Sequence, residues 1–600
     1  MAAAVTVTYP GVYIQEISSG VHTITGVATS IAAFIGWAPK GPTTQATLVQ
    51  SWSDFASQFG GLDSRSYLGY ALNQFFGNGG QQAYVVRLAD ATAIPASLTI
   101  TGLTFTTTTP TAPSTVTITA GILGTWKADF AYAAGALIAD SNGNSQTCTT
   151  AGTSGAVEPT NWATTVGATT PGDGGVTWTL VGSLTLSVLN PGQWGDNYAV
   201  QIQPSPIDYT RFTLSVLYKN PAAPKPSAVE TFPNLSLNSG DPQSRYAVNI
   251  INEQSKFIAA SMGSSAPLTL TNNPSPPPAT LPPPGSASAS LGGGNDGNVL
   301  TPATTSGPGA FETALNANGS GSGGVHLLDT VPIFNLLVVP GEADPTTIGE
   351  LQAYCVGERA FLIADSQSTD TFSSLQNGPN SLMTGNNAMN SALYFPWVNA
   401  FDTQLNMTRA FPASGFVAGV YAGTDASRNV WKAPAGIDAS LTGESGLKVA
   451  LTDSQNGTLN IQAINCLRNF PVYGDVVWGA RTLRGNDQVG SQWKYVPIRR
   501  FALFLESSLY DGTQWVVFEP NDEQLWGQIR LNVGAFMQGL FLQGAFQGTT
   551  PQTAYFVKCD GENNPQSSID QGIVNILVGF APLYPAEFVV IQIQQMAGQL

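Results

Sequence analysis

Three neighbouring stretches decide the fold class: Val331-Pro-Ile-Phe-Asn-Leu-Leu-Val-Val-Pro-Gly341, Ile348-Gly-Glu-Leu-Gln-Ala-Tyr-Cys-Val-Gly-Glu358 and Ala360-Phe-Leu-Ile-Ala364. The first is largely apolar from Ile333 to Val339 and stops at Pro340-Gly341, which reads as a buried strand. The second is long enough for about three helical turns, and the third is again short and apolar. Strand, helix and strand in alternation predict an α/β layer.

The same grammar appears near the start of the chain. Residues 31–37 form an apolar run closed by Pro39-Lys40-Gly41-Pro42, residues 67–76 read as a helix stopped by Gly77-Asn78-Gly79-Gly80, and residues 83–88 read as a strand. Before them, Val5, Val7 and Tyr9 alternate with Thr6 and Thr8, Pro10-Gly11 breaks the run, and 12–17 resumes in extended form. Between 93 and 330 the composition shifts to Thr, Ser, Pro and Gly, with short strand signals and almost no helical period. Residues 126–182 look like a compact unit with widely spaced tryptophans, and the Pro- and Gly-rich stretch 272–325 reads as mobile surface loops. From 451 onward the pattern predicts strands at 476–478, 493–498 and 514–518 and a helix at 499–509. A long helix then opens at Pro520-Asn521-Asp522-Glu523, with Asn521 as N-cap and Leu525/Trp526, Ile529, Val533, Phe536/Met537 and Leu540/Phe541 on one apolar face. The end, 587–594, alternates like a strand. The expected class is multi-domain α+β: an α/β core built from N- and C-terminal segments, with a β-rich insertion in the middle.

Charge is the compositional anomaly. Of 600 residues only 10% are Asp, Glu, Lys or Arg, 38 acidic and 22 basic, for a net of −16, where about 25% is usual. A hydrophobic fraction of 42% and a mean hydropathy of +0.04 fit a folded chain. So few charges leave little to keep bare surface from associating, which predicts burial of that surface against other subunits. Acid exceeds base in every segment: four to three in 1–92, twelve to six in 93–330, ten to five in 331–450 and twelve to eight in 451–600. Without a basic footprint, nucleic-acid binding is not expected.

Cys148, Cys355, Cys466 and Cys559 stand alone without a CxxC, which fits a reducing compartment or indifference to redox. The opening Met1-Ala2-Ala3-Ala4-Val5-Thr6 lacks a basic n-region, and no apolar stretch reaches the ~18 residues of a membrane span. The expectation is a chain made in the cytoplasm that leaves it by lysis or within a particle, with no direct membrane insertion.

The search for chemistry is negative. His22 and His326 are the only histidines, and HExxH, GxxxxGK[ST] and GxSxG are all absent. Gly319-Ser320-Gly321-Ser322-Gly323-Gly324 matches GxGxxG, but it follows a loop and opens a strand, the wrong context for a dinucleotide. Asp522/Glu523 read as helix-capping charges rather than an acid/base pair. No catalytic, cofactor or metal residues are assigned, and an enzyme is not expected. Two clusters each carry two readings. Arg481, Arg484, Lys494, Arg499 and Arg500 place five of the 22 cations within 20 residues; they either pair with Glu506, Glu519 or Asp522 in one domain, or form electrostatic contacts between subunits. Trp126, Trp162 and Trp178 are either a sugar-stacking platform or the core of a small β-module.

Many ordered stretches resemble the contractile tail sheath proteins of myophages and related contractile injection systems. They begin with Tyr9-Pro-Gly-Val-Tyr-Ile-Gln-Glu-Ile17, Gly26-Val-Ala-Thr-Ser-Ile-Ala-Ala-Phe-Ile-Gly36, Phe75-Phe-Gly-Asn-Gly-Gly80 and Ala83-Tyr-Val-Val-Arg87. Leu336-Leu-Val-Val-Pro-Gly341, Pro412-Ala-Ser-Gly-Phe-Val-Ala-Gly-Val-Tyr421 and Val430-Trp-Lys-Ala-Pro-Ala435 follow. The C-terminal part is densest, with Val477-Trp-Gly-Ala-Arg-Thr-Leu483, Trp493-Lys-Tyr-Val-Pro-Ile-Arg-Arg500, Gly512-Thr-Gln-Trp-Val-Val-Phe-Glu-Pro-Asn-Asp522, Phe556-Val-Lys-Cys-Asp560 and Pro585-Ala-Glu-Phe-Val-Val590. The resemblance covers 1–92 and 331–600. Residues 93–330 lie outside it, and 122–182 is similar to small Trp/Gly-rich modules of phage tail and fibre proteins.

The resemblance implies a structural subunit that polymerises helically around an inner tube and contracts from a metastable extended state, driving the tube through a target cell envelope. It implies an N-terminal arm (1–22), a sheath core in two parts (23–92 and 331–450), a variable insertion (93–330), a C-terminal domain (451–584) and a C-terminal arm (585–600). Both arms would add strands to neighbouring subunits, with Val5, Val7, Tyr9, Val12 and Ile14 on one and Phe588, Val590, Ile591 and Ile593 on the other. Gly11, Ser18, Ser19 and Gly20 would be hinge positions. The implied partners are further copies of the chain, an inner tail tube protein, and baseplate and tail terminator or cap proteins. The implied setting is assembly in the bacterial cytoplasm into a virion tail or injection particle. The competing class is a carbohydrate-binding or adhesive surface protein acting through 122–182.

Overall fold

The computed structural model describes residues 22–592, apart from 108–112, 221–222, 224, 264–265, 274–283, 304–306, 308, 317–318 and 320–322. Its centre is an eight-stranded sheet. The first segment supplies β1 (Ala32–Trp37), β2 (Thr47–Val49), helices α1 (Trp52–Phe59) and α2 (Leu68–Gly77), and β3 (Ala83–Leu88). More than two hundred residues later come β4 (Leu336–Val338), α3 (Pro345–Gly357), β5 (Phe361–Asp365), β6 (Ser391–Phe395), α4 (Ser414–Arg428), β7 (Ile464–Phe470) and β8 (Gly474–Val477). The order across the sheet is β2-β3-β1-β4-β5-β6-β7-β8. The six inner strands run parallel, and β2 and β8 are antiparallel edges.

Parallel strands covered on both faces carry apolar side chains at every position, and each strand here divides its side chains between two cores. Phe34, Val338, Ile363 and Tyr394 face α1, α2 and α4, whereas Ile35, Leu337, Leu362 and Phe395 face α3 and a helix at Ala310–Leu315. α2 and α4 pack unusually close. A Cβ on Gly415 would stand 2.6 Å from the Ala71 Cα, and one on Gly419 2.7 Å from the Phe75 carbonyl.

The insertion is β-rich. Ser97–Thr106 is the central strand of one five-stranded sheet, and Tyr198–Pro204 and Phe212–Tyr218 belong to a four-stranded antiparallel sheet. The two share a core that includes Ile100, Leu186, Val200, Ile202 and Leu214. Residues 123–180 build a separate five-stranded sheet around Tyr132, Ile138, Cys148, Trp162, Val176 and Trp178. The described parts of 272–325 include regular structure. Ala287–Ser290 pairs with Tyr198–Pro204, and Phe311 and Leu315 anchor their helix in the central core, apolar residues overriding a Gly/Pro-rich context. Gly324 opens a 3-10 turn to Thr330, not the expected strand.

The C-terminal part contains α5 (Val496–Gly512), α6 (Glu523–Leu542) and an antiparallel hairpin of β9 (Tyr555–Lys558) and β10 (Leu577–Phe580). Leu525, Trp526, Ile529, Val533, Met537 and Leu540 of α6 meet Phe501 and Leu505 of α5 in one core, as the helical spacing requires. Two predicted strands are corrected. Residues 493–498 lead into α5, where Pro497 sits in the first turn with its missing N–H harmless. Residues 514–518 hold a 3-10 turn between two helices. The N-cap of α6 is Asp522, which accepts from the Leu525 N–H, while Asn521 accepts from the Trp526 indole.

Candidate assembly interface

The hairpin β9–β10 has no third strand among the described residues. It lies over the C-terminal core through Val557 and Val578, and it exposes Phe556 and Leu577 on its other face. An unpaired sheet edge is a row of N–H and C=O groups ready for another strand.

Close by lies an apolar run at residues 588–591, where Phe588, Val589, Val590 and Ile591 are 73%, 81%, 81% and 79% exposed. The described part of this segment, to 592, forms no strand within its own chain. Ile593 lies outside the described residues, as do Val5, Val7, Tyr9, Val12, Ile14, Gly11, Ser18, Ser19 and Gly20. The first described residues are fastened to the same C-terminal part. The His22 ring stacks on Trp515 (4.3 Å, 15°), its backbone N–H donates to Asn532 Oδ1 at 3.2 Å, and Val27 N–H donates to Ser508 Oγ at 3.1 Å.

The basic cluster finds its partners inside the chain. Arg500 pairs with Asp425 at 2.6 Å, both buried, and Arg499 with Glu506 at 3.1 Å and Asn390 at 2.8 Å. Lys494 meets Asp487 at 2.6 Å, and Arg484 donates to the Thr384 carbonyl at 3.1 Å. Arg481 grips Glu587 at 2.6 Å and Asp487 at 3.0 Å. Of the expected acids only Glu506 serves. Asp522 caps a helix, and Glu519 takes no part. Burial pushes the Glu587 carboxyl up, but hydrogen bonds from Arg481, Asn460 and Tyr495 outweigh it and hold the group below the usual carboxylate range. Glu587 was not singled out by spacing, yet it is the sole charged side chain among residues 571–600.

Two of the three tryptophans are turned away from solvent. Trp178 is fully buried and Trp162 nearly so. The indoles of Trp126 and Trp178 both donate to Asp173 Oδ2, at 2.8 and 2.6 Å, and that of Trp162 donates to Glu158 at 3.2 Å. A module this small has little else of comparable size to bury, so its large rings turn inward. Among the described residues no cluster of three or more His, Cys, Asp or Glu could hold a metal, and no helix is long and apolar enough to cross a membrane.

Residues 332–483 match the phage tail sheath protein central domain and 488–596 the phage tail sheath C-terminal domain. A tail sheath protein of Vibrio phage KVP40 is 28% identical over 173 residues, covering 28% of this chain and 24% of that one. A putative prophage major tail sheath protein of Pseudomonas aeruginosa is 26% identical over 287 residues, 46% of this chain and 69% of that one. The fold extends over the whole chain in two solved structures. One is a contracted sheath complex of the extracellular contractile injection system PVC (TM-score 0.51, 19% identity, 99% of each chain). The other is the contracted helical sheath of the anti-feeding prophage (TM-score 0.51, 20% identity, 98% of this chain and 100% of that one). With two consecutive phage tail sheath domains matched over 332–483 and 488–596, and a fold shared end to end with solved contractile sheaths, the chain is similar to the contractile tail sheath proteins.

Proposed function

We propose that the chain is the structural subunit of a contractile sheath, polymerising helically around an inner tube and contracting from a metastable extended state to drive that tube through a cell envelope. The observation that carries this reading is the pairing of an incomplete sheet with an unpaired, exposed apolar tail on one molecule. Each copy can then both accept and donate strands, and main-chain hydrogen bonds made that way survive rigid-body movement of the bodies they join. A contact between two different patches does not close on itself and yields an open helix. The scarcity of charge supports the same reading, since most of the surface would face other copies.

In this reading residues 1–22 and 585–600 are the arms, 93–330 project from the lattice, and Gly11, Ser18, Ser19 and Gly20 absorb the rotation on contraction. The inner tube, the baseplate and a terminator or cap are its partners, and assembly takes place in the bacterial cytoplasm. Electron microscopy of the purified chain beside a version lacking residues 1–20 tests it. Long hollow tubes from the full chain, lost in the truncation, are expected. Tubes from both would discard the N-terminal arm, and dispersed monomers from the full chain, even beside a co-expressed tube protein, would discard the reading.

A further inference from the structure

Glu587 stands immediately before the exposed tail, and its carboxylate is held from three sides. Arg481 binds it through both oxygens, Nε to Oε1 at 2.6 Å and Nη2 to Oε2 at 2.7 Å. Asn460 Nδ2 donates to Oε1 at 2.8 Å, and the Tyr495 hydroxyl to Oε2 at 3.1 Å. Bidentate Arg–carboxylate pairs fix direction as well as position. Arg481 is itself 1% exposed. Its N–H donates to Asn465 Oδ1 at 2.7 Å, and Asn465 Nδ2 donates back to the Arg481 carbonyl and across to the Leu393 carbonyl. Asn465 lies on β7 and Leu393 on β6, so the grip on Glu587 runs into the middle of the central sheet.

Between Pro582, which bridges to Phe546, and Glu587 the chain has no comparable support. Residues 583–586 form no helix or strand, and with Glu587 they line a groove of about 1100 Å³ whose other walls include Trp431, Asn456 and Trp478. Tyr584, 60% exposed, reaches only the edge of Tyr495, with ring centroids 6.3 Å apart. Charge around the clamp is balanced. Arg481 and Lys494 face Asp487 and Glu587, so discharging Glu587 alone would leave a buried guanidinium under-compensated.

We propose that Glu587, seated on Arg481, is the anchor of the C-terminal arm, fixing its root to β6 and β7 so that the arm swings from residue 588 and pull on it passes into the central sheet. The fixing is a property of the single chain, and only the pull rests on the sheath reading above. Arg481 and Glu587 are positioning residues: they set where the tail begins, and they leave free the atoms that pair with a neighbour.

A spin label on Ala586→Cys, an exposed site in a chain whose own four cysteines are buried, tests the anchor on unassembled protein. The label is expected to be immobilised with Glu587 intact and to tumble several-fold faster in Glu587→Gln, while a label on Val590→Cys is mobile in both. A label at 586 that stays immobile in Glu587→Gln overturns the anchor. If that variant does not fold, acidification of the unsubstituted chain replaces it: release of the 586 label before loss of helical circular dichroism supports the anchor, and release only with global unfolding overturns it. Glu587→Gln tubes that shed subunits under shear support transmission of pull, and tubes as robust as the unmodified ones overturn that part. Absence of tubes from the unmodified chain falls on the sheath reading, and the label still decides the anchor.

Discussion

Glu342 is 1% exposed, and its Oε1 accepts from the Asp344 N–H at 2.7 Å while Oε2 has no described partner. Burial, opposed only by that N–H, and then the adjoining Glu312 and Asp344 push its carboxyl up to about 8, from an ordinary value of 4.5. Between those values the folded chain holds a proton that the unfolded chain has released, so stability falls as pH rises through the interval. Glu342→Gln keeps the shape and removes the proton. Its melting temperature should exceed that of the unsubstituted chain by a margin that widens from about pH 5 to about pH 8 and then levels. Each tenfold change in proton affinity is worth about 1.4 kcal/mol, which bounds the gain at roughly 5 kcal/mol. A margin independent of pH would sink the assignment. Asp173 shows the opposite economy, one carboxylate serving the Trp126 and Trp178 indoles and the Gly155 N–H. Asp173→Ala strands those donors, one of them fully buried, at a cost of about 2–5 kcal/mol. Red-shifted tryptophan emission with the rest of the chain still folded is the expected signature.

The meeting of α2 and α4 shows how an element depends on what it lacks. Gly415 and Gly419 lie one turn apart on α4, and neither has room for a Cβ against Ala71, Phe75 or Asn78. Gly415→Leu should destabilise the central core by at least the ~1–3 kcal/mol of ordinary overpacking, read as a lower urea midpoint; an unchanged midpoint would show that the helices can part freely. The central strands were legible because strands buried on both faces give continuous apolar runs, as at 31–37, 83–88 and 360–364. The same rule misled at 514–518, where Trp515, Val516, Val517 and Phe518 have strand-like propensity but sit in a connection between helices. At 493–498 the signal was present in Pro497, a first-turn residue. Pairings such as Ala32 with Leu336 were beyond sequence reading, since no local pattern links residues some three hundred apart. The exposed apolar run at 588–591 was legible through strand alternation, and the resemblance made it a candidate arm. Its anchor was not, because the lone acid at 587 and the arginine at 481 gain meaning only when the fold brings them together.

At the scale of the molecule, the Trp-containing module has a core of its own. Gly121 lies opposite Thr99 and Leu184 opposite Ile100, on the two sides of one strand, so the module leaves and returns across about two interstrand spacings, roughly 10 Å. Replacing 122–182 by a short Gly/Ser linker should preserve the main unfolding transition and, in the sheath reading, give tubes of smaller outer diameter; a chain that no longer folds would show the module to be structural. A longer linker at Ser18, Ser19 and Gly20 should leave assembly intact and stop contraction, and normal contraction on microscopy would remove the hinge from those residues.

The bare tail also makes the molecule a reporter of its own history. A protease that cuts after aromatic residues finds Phe588 open in a free subunit, and a strand held in a neighbour's sheet would be closed to it. A cut at Phe588 takes away the residues that would pair and leaves the folded body behind. In the sheath reading, the clipped fraction of a mixed preparation is then a head count of copies never enlisted, and each clipped copy keeps its N-terminal arm while losing the C-terminal one.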